Sequence, residues 1–291
     1  MNKKLYGMRF PGGLAKALTL SYDDGVRQDV RLAELCGKYG VKCTFNLNSG
    51  TLGRERFSLT PGRERLDLSC VKPEEVAEVY AGHEVGGHGL RHSSLPDIGT
   101  PGAMLEIIDD RAALEKLCGR PVQSFAYPYG THSEAVRTLL RLAGYRSART
   151  VVSTGGFGIP EDFLLWDATC HHDDPRLMEL AKRFCEESPE GKFPLGPRLF
   201  YLWGHAYEFD AHGSWDRIEA FLAYVSRFRD EIWFATNGEI VNYVEAYRGL
   251  RFSADSAAVT NLSALRLWMR VSPDRTIELP PGGTVRIPQE E

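Results

Sequence analysis

Residues 17–47 read ALTLSYDDGVRQDVRLAELCGKYGVKCTFNL, and this stretch sets the fold expectation. Ala17 to Tyr22 is a short apolar run suited to a buried strand, and Lys42 to Leu47 (KCTFNL) is a second one. Between them, Val30 to Tyr39 has helical spacing and is stopped by Gly40. Strand, helix and strand in that order make a β-α-β unit.

The same alternation continues outward. Pro73 opens the helical EEVAEVYA, Gly82 closes it, and HEVGGH resumes a short strand. Thr100 and Pro101 open a long helix to Cys118 with Gly119 as its stop, followed by a strand from Val122 to Tyr127 and a helix from Ser133 to Leu142. A strand from Tyr145 to Val151, a helix from Pro175 to Glu187, a strand from Arg198 to Trp203 and a helix from Ser214 to about Phe228 come next. Glu231 to Ala235 is then a strand, and Thr236 with Glu239 forms a capping box for a helix to Tyr247. From Leu250 the pattern changes to short alternating runs (AVTNL, ALRLWMRV, TIEL, TVRI) broken by turn residues. The expectation is an α/β protein: residues 1–249 as repeated β/α units and 250–291 as a small β-hairpin appendage, too short to stand alone and so packed on the body.

Composition narrows the function classes. The chain has 291 residues, 43% hydrophobic and 25% charged, with a net charge of −4 that offers no basic footprint for nucleic acid or an anionic membrane. No run approaches eighteen apolar residues, and MNKKLYGMRFPGG lacks an apolar core, so the sequence reads as neither exported nor membrane-spanning and the expected location is cytoplasmic. Cys36, Cys43, Cys70, Cys118, Cys170 and Cys185 show no CxxC spacing and are read as reduced thiols.

Polar residues gather at the C-terminal ends of the expected strands: Asp23 and Asp24 after ALTLSY, His88 after HEVGG, Tyr129 after SFAYP, His205 after LFYLWG. In a parallel barrel those ends meet on one rim, where active sites form. His88 and His92 stand four apart, a spacing that on a helical turn brings two imidazoles to one side, as metal ligation needs. Each signal alone has a plain structural reading, Asp-Asp-Gly as a turn and His205 as a hydrogen-bonded core histidine.

Taken together, TLSYDDG (19–25), HGLRH (88–92), FAYPYG (125–130) and the strand ending in His205 resemble the polysaccharide deacetylase family with the NodB homology domain, of carbohydrate esterase family 4 type. The resemblance spans roughly residues 14–245. It implies a distorted (β/α) barrel and metal-dependent hydrolysis of an N-acetyl group from an amino sugar or oligosaccharide. On that resemblance Asp24, His88 and His92 hold a divalent metal ion, zinc first, with cobalt, nickel or manganese as alternatives. Asp23 is the general base, Tyr129 turns its backbone N–H to the oxyanion, and His205 is the general acid. The implied partner is a small carbohydrate substrate, with neither nucleic acid nor membrane; oligomeric state is left open.

This chain departs from the family pattern in three places. Ala126 stands where the family has an arginine that positions the catalytic aspartate, and Arg149, at the end of YRSARTV, is the candidate substitute, with a solvent-exposed arginine as the alternative. Gly89 follows the first histidine where Ser or Thr is usual, removing a hydroxyl that braces the metal site. The segment WDATCHHDD leaves Asp167, Asp173 and Asp174 as alternative carboxylate partners for His205, and His171 and His172 as substrate contacts or caps of the following helix. Trp203, Tyr127, Tyr129 and Tyr207 are expected to put aromatic surface on the rim. Two other readings share these residues: hydrolysis of a non-carbohydrate linear amide, and an inactive carbohydrate-binding protein.

Overall fold

The computed structural model describes residues 7–58, 65–187 and 196–288. Nine strands form one parallel sheet: β1 (Lys16–Asp23), β2 (Cys43–Leu47), β3 (Glu84–Gly87), β4 (Ser124–Ala126), β5 (Ser147–Ser153), β6 (Trp166–Ala168), β7 (Cys170–His171), β8 (Arg198–His205) and β9 (Ile232–Phe234). Their order is β7-β8-β1-β2-β3-β4-β5-β6, with β9 joined to β1. Only Thr169 separates β6 from β7, so one extended segment pairs with β5 through its first half and with β8 through its second. That segment closes the sheet into a nearly complete barrel, the distorted (β/α) architecture expected from the sequence. β9 lies along Lys16–Leu18 and β2 along Leu20–Asp23, so two strands share one edge of β1 in succession, a source of the distortion.

Alternation along β1 explains how all eight of its residues are buried. Leu18, Leu20 and Tyr22 join a hydrophobic cluster with residues of α1 (Asp29–Tyr39) and α7 (Trp215–Val225). Thr19, Ser21 and Asp23 face the other way into a hydrogen-bonded interior. Thr19 donates to Asn237 Oδ1 at 2.9 Å, Asn237 donates to the Tyr201 hydroxyl at 2.8 Å, and Asn46 Nδ2 donates to both Ser21 Oγ and Asp23 Oδ1 at 2.8 Å. Most buried polar groups in folded proteins are satisfied in this way. Strand register sets the top of the network, with Asp23 opposite both His205 and Asn46.

Gly86 on β3 is required by this network. A methyl group there would overlap Asn46 Oδ1 and press on the Ser124 carbonyl oxygen at 3.0 Å. Gly86→Ala is therefore expected to destabilise the fold by about 1–3 kcal/mol, the usual cost of overpacking. A denaturant midpoint equal to that of wild type would show that Asn46 moves freely, contrary to this packing.

Helices α3 (Gly99–Cys118), α4 (Glu134–Leu142), α5 (Leu177–Glu186) and α8 (Asn237–Arg248) complete the alternation, Gly40 and Gly119 end α1 and α3 in left-handed conformation, and Thr236 with Glu239 caps α8 as expected. Several boundaries differ. The helix expected from Pro73 is a 3₁₀ turn followed by only the short α2 (Val76–Val79), and the chain leaves it at Tyr80, before Gly82. The strand expected over Val122 to Tyr127 reduces to Ser124–Ala126. The β6/β7 segment was not anticipated: WDATCHH is too polar to read as a buried strand.

C-terminal to α8, short antiparallel strands form two small sheets. Leu267–Ser272 pairs with both Arg275–Leu279 and the N-terminal Met8–Arg9. Tyr243 of α8 donates to the Arg9 carbonyl at 2.6 Å and accepts from the Trp268 N–H at 3.0 Å. Val259, Leu267, Met269 and Leu279 share a buried cluster with Tyr243 and Tyr247. No helix among the described residues is long and apolar enough to cross a membrane.

Candidate active site

At the C-terminal rim of the barrel, side chains far apart in sequence converge. Asp24 follows β1, His88 follows β3, and the loop from 88 to 92 returns His92 to the same point. One ligand atom each from Asp24, His88 and His92 lies within 4.8 Å of the others. His88 Nε2 and His92 Nε2 are both 3.6 Å from Asp24 Oδ1. His88 Nδ1 donates to the Ala126 carbonyl oxygen at 2.7 Å, which fixes the tautomer and leaves the Nε2 lone pair facing Asp24. Two imidazoles and a carboxylate, one of them already oriented, suit a divalent cation such as zinc and leave a coordination position free.

The two histidines do not converge on a helical turn. Gly89 (φ +76°) and His92 (φ +62°) take left-handed conformations, and the loop is pinned from outside. Asn48 Nδ2 donates to the carbonyl oxygens of both His88 and Gly89. Glu106 accepts the Arg91 N–H at 2.8 Å, and Asp110 accepts the His88 N–H at 3.2 Å and the Ser49 N–H at 2.8 Å. Burial raises the Asp110 pKa to about 7 against those hydrogen bonds. The positive φ at Gly89 explains the lost hydroxyl: a Ser or Thr there would be strained, and Asn48 supplies the bracing.

Asp24 (φ +81°), His92 and Tyr129 (φ +59°) are three of the four non-glycine residues with positive φ among those described. Each such residue costs on the order of 1–3 kcal/mol and persists only where its surroundings impose it, and such residues collect at functional sites. Tyr129 is 66% exposed and meets the His92 ring edge-on at 4.4 Å between centroids.

Asp23 is 2% exposed. Burial pushes its pKa up, but Arg149, His88, His205 and the Asn46 hydrogen bond outweigh burial and hold it below the ordinary value. Arg149 comes from β5, is itself buried, and its Nη2 donates to Asp23 Oδ2. Its Nη1 donates to the Thr150 carbonyl at 2.8 Å, and its guanidinium stacks on Trp203 at 4.2 Å. Arg149 is thus no surface arginine but the partner of Asp23.

On the neighbouring strand β8, whose last residue pairs with Asp23, His205 Nδ1 lies 3.2 Å from Glu208 Oε2, which also accepts the His205 backbone N–H at 3.0 Å. Burial lowers the His205 pKa, yet the Glu208 hydrogen bond and the charges of Asp23, Glu208 and Asp24 raise it to about 8. Glu208 in turn is held far below the usual carboxylate range by His171 and His205, despite burial. The expected partners are engaged elsewhere: Asp167 with Thr150, Asp173 with His212 at 2.9 Å, Asp174 with Arg176 at 2.9 Å. His171 and His172 do not cap α5; they lie against Glu208. Burial, with His171 beside it, drives the His172 pKa down to about 2.

Of the expected rim aromatics, Tyr127 is inside, its hydroxyl donating to the Leu164 carbonyl at 2.8 Å. Trp203 is buried under Arg149, and Tyr207 is half-buried beside His205 at 5.3 Å. Tyr129 alone of the four stands well exposed. Glu208, Asn46, Asn48 and Asp110 were not singled out in the sequence. An acid three residues after a strand-end histidine, at the start of α6 (Tyr207–His212), was the available signal for Glu208.

The family model described as Polysaccharide deacetylase matches residues 12–148. No curated protein matches the chain. Among solved structures, a Mycobacterium smegmatis protein described as a polysaccharide deacetylase is 17% identical, with 82% of this chain and 93% of that one covered and a TM-score of 0.57. The Streptococcus pyogenes deacetylase PplD in complex with acetate is 18% identical over 46% of this chain and 55% of its own, with a TM-score of 0.39. A Bacillus cereus polysaccharide deacetylase is 21% identical over 50% and 44%, with a TM-score of 0.40, so the chain spans about half the length of these two structures. Residues 12–148 thus resemble the polysaccharide deacetylase family, and the barrel they begin has the fold of the Mycobacterium smegmatis structure.

Proposed function

We propose that the chain is a metal-dependent N-deacetylase acting on an amino sugar or short oligosaccharide. The observation that carries this reading is a buried carboxylate, Asp23, held by Arg149 and Asn46, and a histidine, His205, held by Glu208, on neighbouring strands beside a three-ligand metal set. Asp24, His88 and His92 would hold the ion. When bound, a divalent cation there supplies Lewis acidity to the amide carbonyl and to water.

The chain's own residues account for the proton traffic. Asp23, kept ionised by Arg149 and Asn46, takes the proton from the attacking water. The Tyr129 N–H, turned by its left-handed backbone, donates to the developing oxyanion, a contact worth about 3 kcal/mol in other acyl-transfer enzymes. His205, kept cationic by Glu208, gives a proton to the departing amine nitrogen. An amide is expelled only as the neutral amine, so both transfers are needed. A protein that merely binds sugar needs neither group, and this argues against an inactive module. The exposed Tyr129 ring beside His92 suits stacking on a sugar face. Six cysteines, all unpaired, suit a reducing compartment, and we place the activity in the cytoplasm.

The test is acetate release from N-acetylglucosamine oligomers by zinc-loaded protein, set against a panel of simple linear amides. Release from the oligomers is the expected result. Turnover of the simple amides alone would replace the sugar with another scaffold. No hydrolysis of either class with stoichiometric metal bound would leave a binding protein.

A further inference from the structure

Behind His205 lies a second group of ligating side chains. Glu208 Oε2 is 3.2 Å from His171 Nε2 and 3.4 Å from His172 Nε2, and one ligand atom from each of the three residues lies within 4.8 Å of the others. His172 is 1% exposed and stacked on Tyr22 and Phe209, at 5.6 and 4.3 Å, yet neither of its ring nitrogens has a hydrogen-bond partner. The backbone is cut away to admit the ring, because a methyl group on Gly204 would overlap His172 Nδ1. A buried imidazole left without partners is a cost that an apolar side chain of the same shape would avoid. Its Nε2 lies 3.4 Å from Glu208 Oε2 and 3.5 Å from Asp173 Oδ1 without a hydrogen bond to either, so a cation between the ring and the Glu208 carboxylate would satisfy it.

We infer that His171, His172 and Glu208 form a second divalent-cation site, distinct from Asp24, His88 and His92. Two imidazoles and one carboxylate favour zinc or a similar borderline cation over calcium or magnesium, which prefer oxygen. The two sites differ in readiness. At the first, the Ala126 carbonyl already presents the His88 Nε2 lone pair. At the second, His171 Nδ1 accepts the Asp173 N–H at 3.1 Å, which puts the ring proton on Nε2. Ligation through Nε2 moves that proton to Nδ1 and breaks the Asp173 contact, so the second site fills at higher zinc. Occupied, it would draw Glu208 away from His205; that consequence rests on the function proposed above, whereas the binding does not.

Metal-free protein equilibrated with rising zinc, with bound metal counted after dialysis, tests the assignment. Wild type is expected to bind two equivalents, the second at least tenfold more weakly. Asp24→Asn should keep only the weak equivalent, and His171→Ala and His172→Ala only the tight one. His171 is half-buried, so its variant serves even where the buried His172→Ala fails to fold. If wild type stops at one equivalent and Asp24→Asn removes it, the second site is overturned while the proposed function stands. If the single equivalent survives Asp24→Asn and is lost in His171→Ala, the second site stands and the first falls. Two equivalents retained in His171→Ala overturn the assignment.

Discussion

Arg149→Ala is expected to lower acetate release by about 10²-fold or more at unchanged zinc content, because positioned proton transfer contributes roughly 10²–10⁴-fold. The guanidinium is 1% exposed and bound to a carboxylate that is 2% exposed. Removing one member of so buried a pair leaves an uncompensated charge and typically costs about 3–5 kcal/mol of stability. Two losses are therefore expected together, and they separate by measurement. Unfolding in denaturant reads the first, and kcat on the folded fraction reads the second. Arg149→Lys restores a charge but neither the fork geometry nor the stacking on Trp203, so it should recover stability more than turnover. Full turnover in Arg149→Ala would remove the arginine from the reaction and leave it a structural counter-ion.

The route by which Arg149 reaches Asp23 bears on how much a sequence discloses. Ala126 on β4 and Arg149 on β5 are direct partners in the strand register, so moving the arginine from one strand to the next keeps its head over the same carboxylate. That substitution was legible, because strand-end position and residue type suffice to nominate Arg149. The convergence of Asp24, His88 and His92 was legible for the same reason, although the geometry joining the histidines was misread. Four-residue spacing suggested a helical turn, whereas two left-handed residues and the Asn48 side chain bend the loop. Nothing local in HGLRH reveals this, since the forces that shape the loop come from Asn48, Glu106 and Asp110.

The closing segment of the barrel was hidden by its polarity. Thr169, His171 and His172 interrupt the apolar pattern of a buried strand because they serve the interior and Glu208 rather than the core. Propensity reading fails where a strand is recruited for its side chains' polar contacts. The same segment supplied three aspartates as partners for His205, yet all three are turned to Thr150, His212 and Arg176. Proximity in sequence to the expected motif outweighed the nearer acid in HAYE, residues 205–208, which sits one helical turn from the histidine it serves.

Glu208→Gln is expected to move the basic limb of the kcat/KM profile to lower pH by about one unit or more, since loss of the carboxylate leaves burial to depress the imidazole. The sign follows from the role: a general acid must be protonated, so activity falls as pH rises through its pKa, about 8 in the wild type. Glutamine keeps the shape and an acceptor for the ring N–H, so the shift reports charge and not misplacement. Stability should follow a matching window. His205, raised in the folded state, contributes fully below its ordinary value of 6.5 and loses that contribution as pH rises through about 8. Glu208, depressed in the folded state, contributes above its ordinary value of 4.5 and loses that contribution on acidification. The difference in unfolding free energy between wild type and Glu208→Gln should therefore be widest between those limits and narrow as pH rises through about 8. A basic limb that stays in place in Glu208→Gln, with kcat unchanged, would mean that His205 is not the acid or that another group sets its charge, and the pairing of Asp23 as base with His205 as acid would then lose its second half.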